Sequence, residues 1–170
     1  MARVLIIIAP DQFRDEEYTE PRDVLQSRGA EVVTASIAPG PCRGKLGMMA
    51  HADVAISEVQ ATDFEAVVFV GGGGSSIYFD DPVAHTLATD SLHEGHVTAA
   101  ICIAPSVLAH AGLLRDRRVT AFESQETDLV EHGAEFTGSP VEIDGAIITA
   151  NGPAAAHDFG MAIADAIGLN

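Results

Sequence analysis

A chain of 170 residues, 47% of them apolar, is long and apolar enough to bury a full core as one domain spanning 1–170. Nine basic against 25 acidic side chains leave a net charge of −16, which argues against nucleic acid and anionic membrane as partners. No apolar run reaches the length of a membrane span, and the apolar start at Met1 to Ile8 lacks a small-residue cleavage site, so a cytoplasmic protein is expected. The acidic, lysine-poor surface, with Lys45 as its one lysine, suits either a high-salt cytoplasm or a GC-rich genome.

Arg3 to Ala9 is a continuous apolar run, the pattern of a strand buried on both faces, and Pro10-Asp11 ends it. Asp15 to Gly29 has helical spacing, with Tyr18, Val24 and Leu25 facing inward and Gly29 as the stop. Glu31 to Ser36 is a second strand and completes a β-α-β unit, which implies a parallel sheet and a right-handed crossover. Pro39 to Met49 reads as a loop and short hairpin continuing to about Val54. Ala66 to Val70 is another buried strand and runs into Gly71-Gly72-Gly73-Gly74-Ser75-Ser76, after which Pro82 to Glu94 forms a helix.

Val97 to Ile101 is a strand that passes through Cys102 into a helix starting near Ala104 and reaching about Leu114, with Pro105 in its first turn. Arg118 to Phe122 is strand-like, and Glu126 to His132 is a helix stopped by Gly133. Glu135 to Phe136, Val141 to Ile143 and Ala146 to Thr149 read as edge strands with a turn at Asp144-Gly145, and Pro153 to Ile167 closes the chain as an amphipathic helix. Alternating units of this kind predict an α/β fold: a three-layer α/β/α sandwich on a mostly parallel, flavodoxin-like sheet. The loops at Pro10 to Gln12, Gly71 to Ser76 and Cys102-Ile103 all follow apolar strands, and are expected to converge on one pocket at the carboxyl ends of the sheet.

Cys102 carries the chemistry of that pocket. A tight strand-to-helix turn holds one side chain out over a helix N-terminus, whose partial positive charge favours thiolate. The glycine run lacks the Lys-Ser/Thr of a Walker loop and the spacing of a dinucleotide fingerprint. It reads instead as backbone that approaches a pocket closely and aims N–H groups at an anion. Cys42 and Cys102 do not make a disulfide framework. His93 and His96 stand three apart with no third ligand, so no metal and no cofactor is expected. His85, His110, His132 and His157 read as helix-surface residues, and no Ser-His-Asp triad can be assigned. Asp15, Glu16, Glu17 and Glu20 form an acidic first turn, from which one carboxylate can point inward.

The chain resembles the DJ-1/PfpI superfamily, with its class I glutamine amidotransferase-like fold, over nearly its whole length. The resemblance rests on Ala-Ile-Cys-Ile-Ala-Pro at 100 to 105, similar to the family's nucleophile elbow. Gly71-Gly72, Glu142-Ile143-Asp144-Gly145 and Thr149-Ala150-Asn151-Gly152-Pro153 support it. It implies Cys102 as nucleophile, the N–H groups of Gly72 and Ile103 as oxyanion hole, and a homodimer or higher homo-oligomer. The activities it implies are action on small reactive carbonyls or glycated proteins, oxidative-stress sensing or chaperoning through Cys102 oxidation, and intracellular peptidase activity.

Three departures bear on these. Arg14 stands where ungapped alignment places the family's cysteine-bonding Glu; Glu17, one turn later, can reach the same space, with Glu16 in reserve. Ile103 replaces the His that follows the cysteine in protease-like members, which weakens the peptidase reading. Phe122 replaces a pocket His, leaving Glu123 as a further acid/base candidate. A glyoxalase or deglycase acting through Cys102, Glu17, Gly72 and Ile103 is therefore the leading expectation.

Overall fold

The apolar run at Arg3–Ile7 forms β1 at the centre of the molecule, and Val4 to Ile8 are fully buried. A strand can be apolar on both faces only where a layer covers each of them. A computed structural model describes residues 1–170 and supplies those layers. After β1 come β2 (Asp11–Phe13), α1 (Asp15–Ser27), β3 (Glu31–Ser36), β4 (Gly40–Gly44), β5 (Met49–Ala52), β6 (Val54–Ala55), β7 (Ala66–Phe69), α2 (Pro82–His93) and β8 (Val97–Ile101). α3 (Pro105–His110), β9 (Arg118–Val119), α4 (Glu126–Glu131), β10 (Glu135–Phe136), β11 (Val141–Asp144), β12 (Ile147–Ala150) and α5 (Ala156–Ala166) complete the chain.

Seven strands form one sheet in the order β11-β12-β8-β7-β1-β3-β6, parallel except where β11 meets β12. α1 packs on α5, and α2 packs on α3, which packs on α4, giving the expected three layers. No helix is long and apolar enough to cross a membrane. α1 and α5 approach closely where Gly160 meets Pro21: a side chain on Gly160 would come within 2.8 Å of the Pro21 Cα. Pro21 lies inside α1 and has no N–H, so the carbonyl of Glu17, four residues earlier, lacks its usual helical partner.

Four expectations need correction. Ala146 to Thr149 was expected at an edge, but β12 lies between β8 and β11, and all four of its residues are buried. Its shortness hides a two-sided burial that resembles that of the central strands. Pro10 to Gln12 was expected to be loop, but Asp11 and Gln12 belong to β2 (Asp11–Phe13), which pairs with β4 in a small second sheet with β5. Asp11 and Gln12 are exposed, so no apolar alternation marks that strand. Two elements are also shorter than expected. α3 stops at His110 before Gly112, which takes a left-handed φ of 79°. β9 ends at Val119, beyond which the Thr120 N–H donates to the Thr149 hydroxyl.

Candidate active site

β8 delivers Cys102 to the carboxyl edge of the sheet, and the backbone reverses there with φ 65°. A left-handed non-glycine residue costs roughly 1–2 kcal/mol and persists only where its surroundings hold it. Here the Cys102 N–H donates to the Ala150 carbonyl at 2.9 Å, and its own carbonyl accepts from the Phe122 N–H at 2.8 Å. Neighbouring backbone thus clamps both sides of the turn, and the half-buried side chain is left at the strand–helix junction.

The adjacent strand, β7, ends in the glycine run, and each glycine has a different reason for being there. A Cβ on Gly71 would lie 2.5 Å from Glu17 Oε1, 2.6 Å from the Cys102 Cβ and 2.7 Å from the Ile101 carbonyl oxygen. The missing side chain therefore lets the acid and the thiol approach. Gly72 has φ 94°, and a Cβ there would run into the backbone of Gln12 to Arg14. One on Gly74 would collide with the Asp11 carbonyl, whereas Gly73 faces open space. Gly73→Ala should leave the melting temperature and Cys102 reactivity nearly unchanged. Gly71→Ala should slow Cys102 alkylation and lower stability by about 1–3 kcal/mol through overpacking. Denaturant titration together with a timed alkylation assay on the two variants checks this contrast.

The Arg14 N–H donates to the Gly71 carbonyl at 3.0 Å and so ties the start of α1 to this loop. Glu17, one turn into α1, is fully buried against it. Neither carboxyl oxygen has a partner at ordinary hydrogen-bond geometry; the Cys102 thiol and the Gly71 N–H are the polar groups that face them. Burial raises the Glu17 pKa to about 7, opposed by the thiol, the Arg14 charge and the Gly71 N–H. Burial, and then the Glu17 charge, push the Cys102 thiol up to about 12, against the N–H groups of Gly72 and Ile103, which draw it down.

The helix N-terminus expected to favour thiolate is opposed here by burial and by the Glu17 charge. α3 has only six residues, and desolvation together with a neighbouring carboxylate acts against its dipole. The two groups titrate as a pair. A proton on Glu17 removes the charge that opposes the thiolate and offers it a donor.

Among the other candidates, Glu16 forms an ion pair with Arg14 at 2.9 Å. Glu123 is exposed and lines a cavity of about 450 Å³ with Phe122, Glu126, Asn151 and Gly152. That cavity adjoins Cys102 through Phe122, whose N–H bonds the Cys102 carbonyl. Glu17 is the carboxylate that the structure sets beside the sulfur. Cys42 is buried elsewhere, its thiol toward the Gly40 carbonyl at 3.8 Å. Arg14, read from sequence only as a lost acid, proves to be a cation whose charge reaches both Glu17 and Cys102. His110 and His132 are not lone surface residues: His110 contacts Asp128 across the α3–α4 packing, and His132 contacts the same Asp128 from one turn further along α4.

A left-handed cysteine over paired amides, with a buried glutamate beside it, is a distinctive arrangement, and comparison with known proteins finds the same family. The model for the DJ-1/PfpI family matches residues 2–166. A Pyrococcus abyssi protein named a deglycase is 34% identical over 151 residues, covering 89% of this chain and 90% of the relative. A Bacillus subtilis protein named a putative cysteine protease is 30% identical over 154 residues, covering 90% and 91%. The crystal structure of a ThiJ/PfpI domain protein from Brachyspira murdochii superposes with a TM-score of 0.95 at 33% identity, covering 97% of this chain and 95% of that one. With a family model spanning the sheet, the elbow and the glutamate-bearing helix, this chain belongs to the DJ-1/PfpI family.

Proposed function

We propose that the protein is a cysteine-dependent enzyme acting on small reactive carbonyls, α-oxoaldehydes foremost, by glyoxalase- or deglycase-type chemistry. The observation that carries this reading is the buried Glu17 beside Cys102, with a pKa near 7, able to hold or release a proton at neutral pH. The Cys102 sulfur adds to the aldehyde carbon as the pair's proton passes to Glu17. The N–H groups of Gly72 and Ile103, which already face the sulfur, stabilise the alkoxide, and Glu17 protonates it. Glu17 carboxylate then removes the proton from the carbon bonded to sulfur. The resulting enediol regains a C–H bond at the neighbouring carbon, leaving a thioester on Cys102. Water hydrolyses that thioester, so aldehyde plus water becomes a 2-hydroxy acid and the thiol is restored.

Proteolysis is poorly served, because Ile103 occupies the position of a neighbouring His. A standing oxidant sensor needs a thiolate, whereas burial and the Glu17 charge push the thiol pKa up. The deglycase name of a relative agrees with carbonyl chemistry. Incubation of the purified chain with methylglyoxal should give lactate and a methylglyoxal adduct on Cys102 by peptide mass spectrometry. Adducts confined to arginine side chains, with no lactate formed, would sink the reading.

A further inference from the structure

On the helical layer formed by α2, α3 and α4, four chemically active side chains meet. His110 ends α3, Asp128 lies in the first turn of α4 with His132 one turn on at its C-cap, and Asp80 precedes α2. We propose that His110, Asp128 and His132 bind a divalent transition-metal ion of the zinc class, with Asp80 orienting His110.

The geometry is that of a two-histidine, one-carboxylate set with its supporting shell. One ligand atom from each of the three residues lies within 4.8 Å of the others. His110 Nδ1 contacts Asp80 at 2.7 Å, which commits that nitrogen as a donor and leaves Nε2, 2.9 Å from Asp128, as the ligand. Metal-binding histidines characteristically give their second nitrogen to a carboxylate or a carbonyl. His132 follows the same rule: Nδ1 donates to the Asp128 backbone carbonyl at 2.8 Å, so Nε2 is left over. The two imidazoles stack with centroids 4.7 Å apart and planes 23° from parallel.

Bonds of roughly 2.0–2.2 Å to nitrogen and oxygen put tetrahedral ligands about 3.3 Å apart. Asp128 and His110, 2.9 Å apart, are already close to that spacing, and His132 lies within 4.8 Å of both. The side chains of His110, Asp128 and His132 are 20%, 28% and 37% exposed, which leaves one side open for a water as fourth ligand. A net charge of −16 enriches cations at the surface. The opposing cation is Arg115, whose side chain packs at Gly133, next to His132.

The same contacts could serve only as a hydrogen-bonded clamp between helices, and metal binding separates the two roles. In a Cys42→Ser/Cys102→Ser chain, which silences the thiols, Zn²⁺ titrated against a chromogenic chelator should bind one ion per chain, and Co²⁺ should give the visible bands of a tetrahedral site. His132→Gln should remove the bands and weaken Zn²⁺ binding at least tenfold. Asp80→Asn should weaken it about 10–100-fold, as loss of an orienting carboxylate does. Zn²⁺ should raise the melting temperature of the parent chain and not that of His132→Gln, since an ion that binds only the folded chain stabilises it. No stoichiometric binding, or binding and bands unchanged in His132→Gln, would leave the cluster as a clamp and overturn the site.

Discussion

Glu17→Gln is expected to lower methylglyoxal turnover by about 10²–10⁴-fold, the usual contribution of a positioned acid–base group, while Cys102 alkylation by a simple electrophile survives or rises. The split follows from charge. The Glu17 carboxylate helps hold the thiol at about 12, and glutamine removes that repulsion while supplying no transferable proton. In the wild type, alkylation should rise with pH through about 7, as the pair loses its first proton, and then flatten.

Stability moves in the opposite sense. A carboxyl whose folded pKa is raised from 4.5 to about 7 stabilises the fold below pH 4.5 relative to higher pH, and that contribution is lost as pH climbs through about 7. Over this window the wild type should lose about 3 kcal/mol relative to Glu17→Gln. Urea titrations of both proteins at several pH values read the difference directly. Parallel pH curves would mean that Glu17 is not a buried acid, and full turnover in Glu17→Gln would remove it from the chemistry.

Cys102→Ala is expected to reduce turnover to the uncatalysed rate, since the sulfur that the Gly72 and Ile103 amides face is the nucleophile. A second substitution tests the turn itself. Cys102 keeps φ at 65°, where any Cβ is strained, so Cys102→Gly should be inactive yet more stable than Cys102→Ala by about 1 kcal/mol. Denaturant midpoints of the two variants decide it. An alanine variant as stable as the glycine one would show that the elbow stores no strain, and an alanine variant that still forms lactate would move the chemistry away from this site.

Cys102 was legible in the sequence because a buried strand, a cysteine and a helix-starting proline in succession permit few geometries. The close approach at the glycine run was legible for a similar reason, since four consecutive glycines exceed what a turn needs. The role of Gly73 as the unconstrained member was not, because it depends on what stands opposite each Cβ. Glu17 was legible only through the family resemblance, which marks the position of Arg14 and leaves helical spacing to point one turn on; the residues alone left the four acids of the first turn open. The pull against the thiolate was not legible, because a dipole can be inferred from local sequence while desolvation depends on the whole packed layer. The meeting of Asp80, His110, Asp128 and His132 was hidden for another reason: these residues approach only after three helical segments have packed.

The contact between Gly160 and Pro21 reaches further than packing. α5 supplies none of the groups facing the sulfur, yet it sets how closely the helix carrying Glu17 can lie against the body of the protein. Glu17 also sits where α1 has given up a backbone hydrogen bond, at the helix's most deformable turn. A bulkier residue at 160 would therefore act on the nucleophile at a distance, by displacing the acid that shares its proton. Reactivity at the elbow is in this sense adjustable from the last helix of the chain, through the spacing of two backbones.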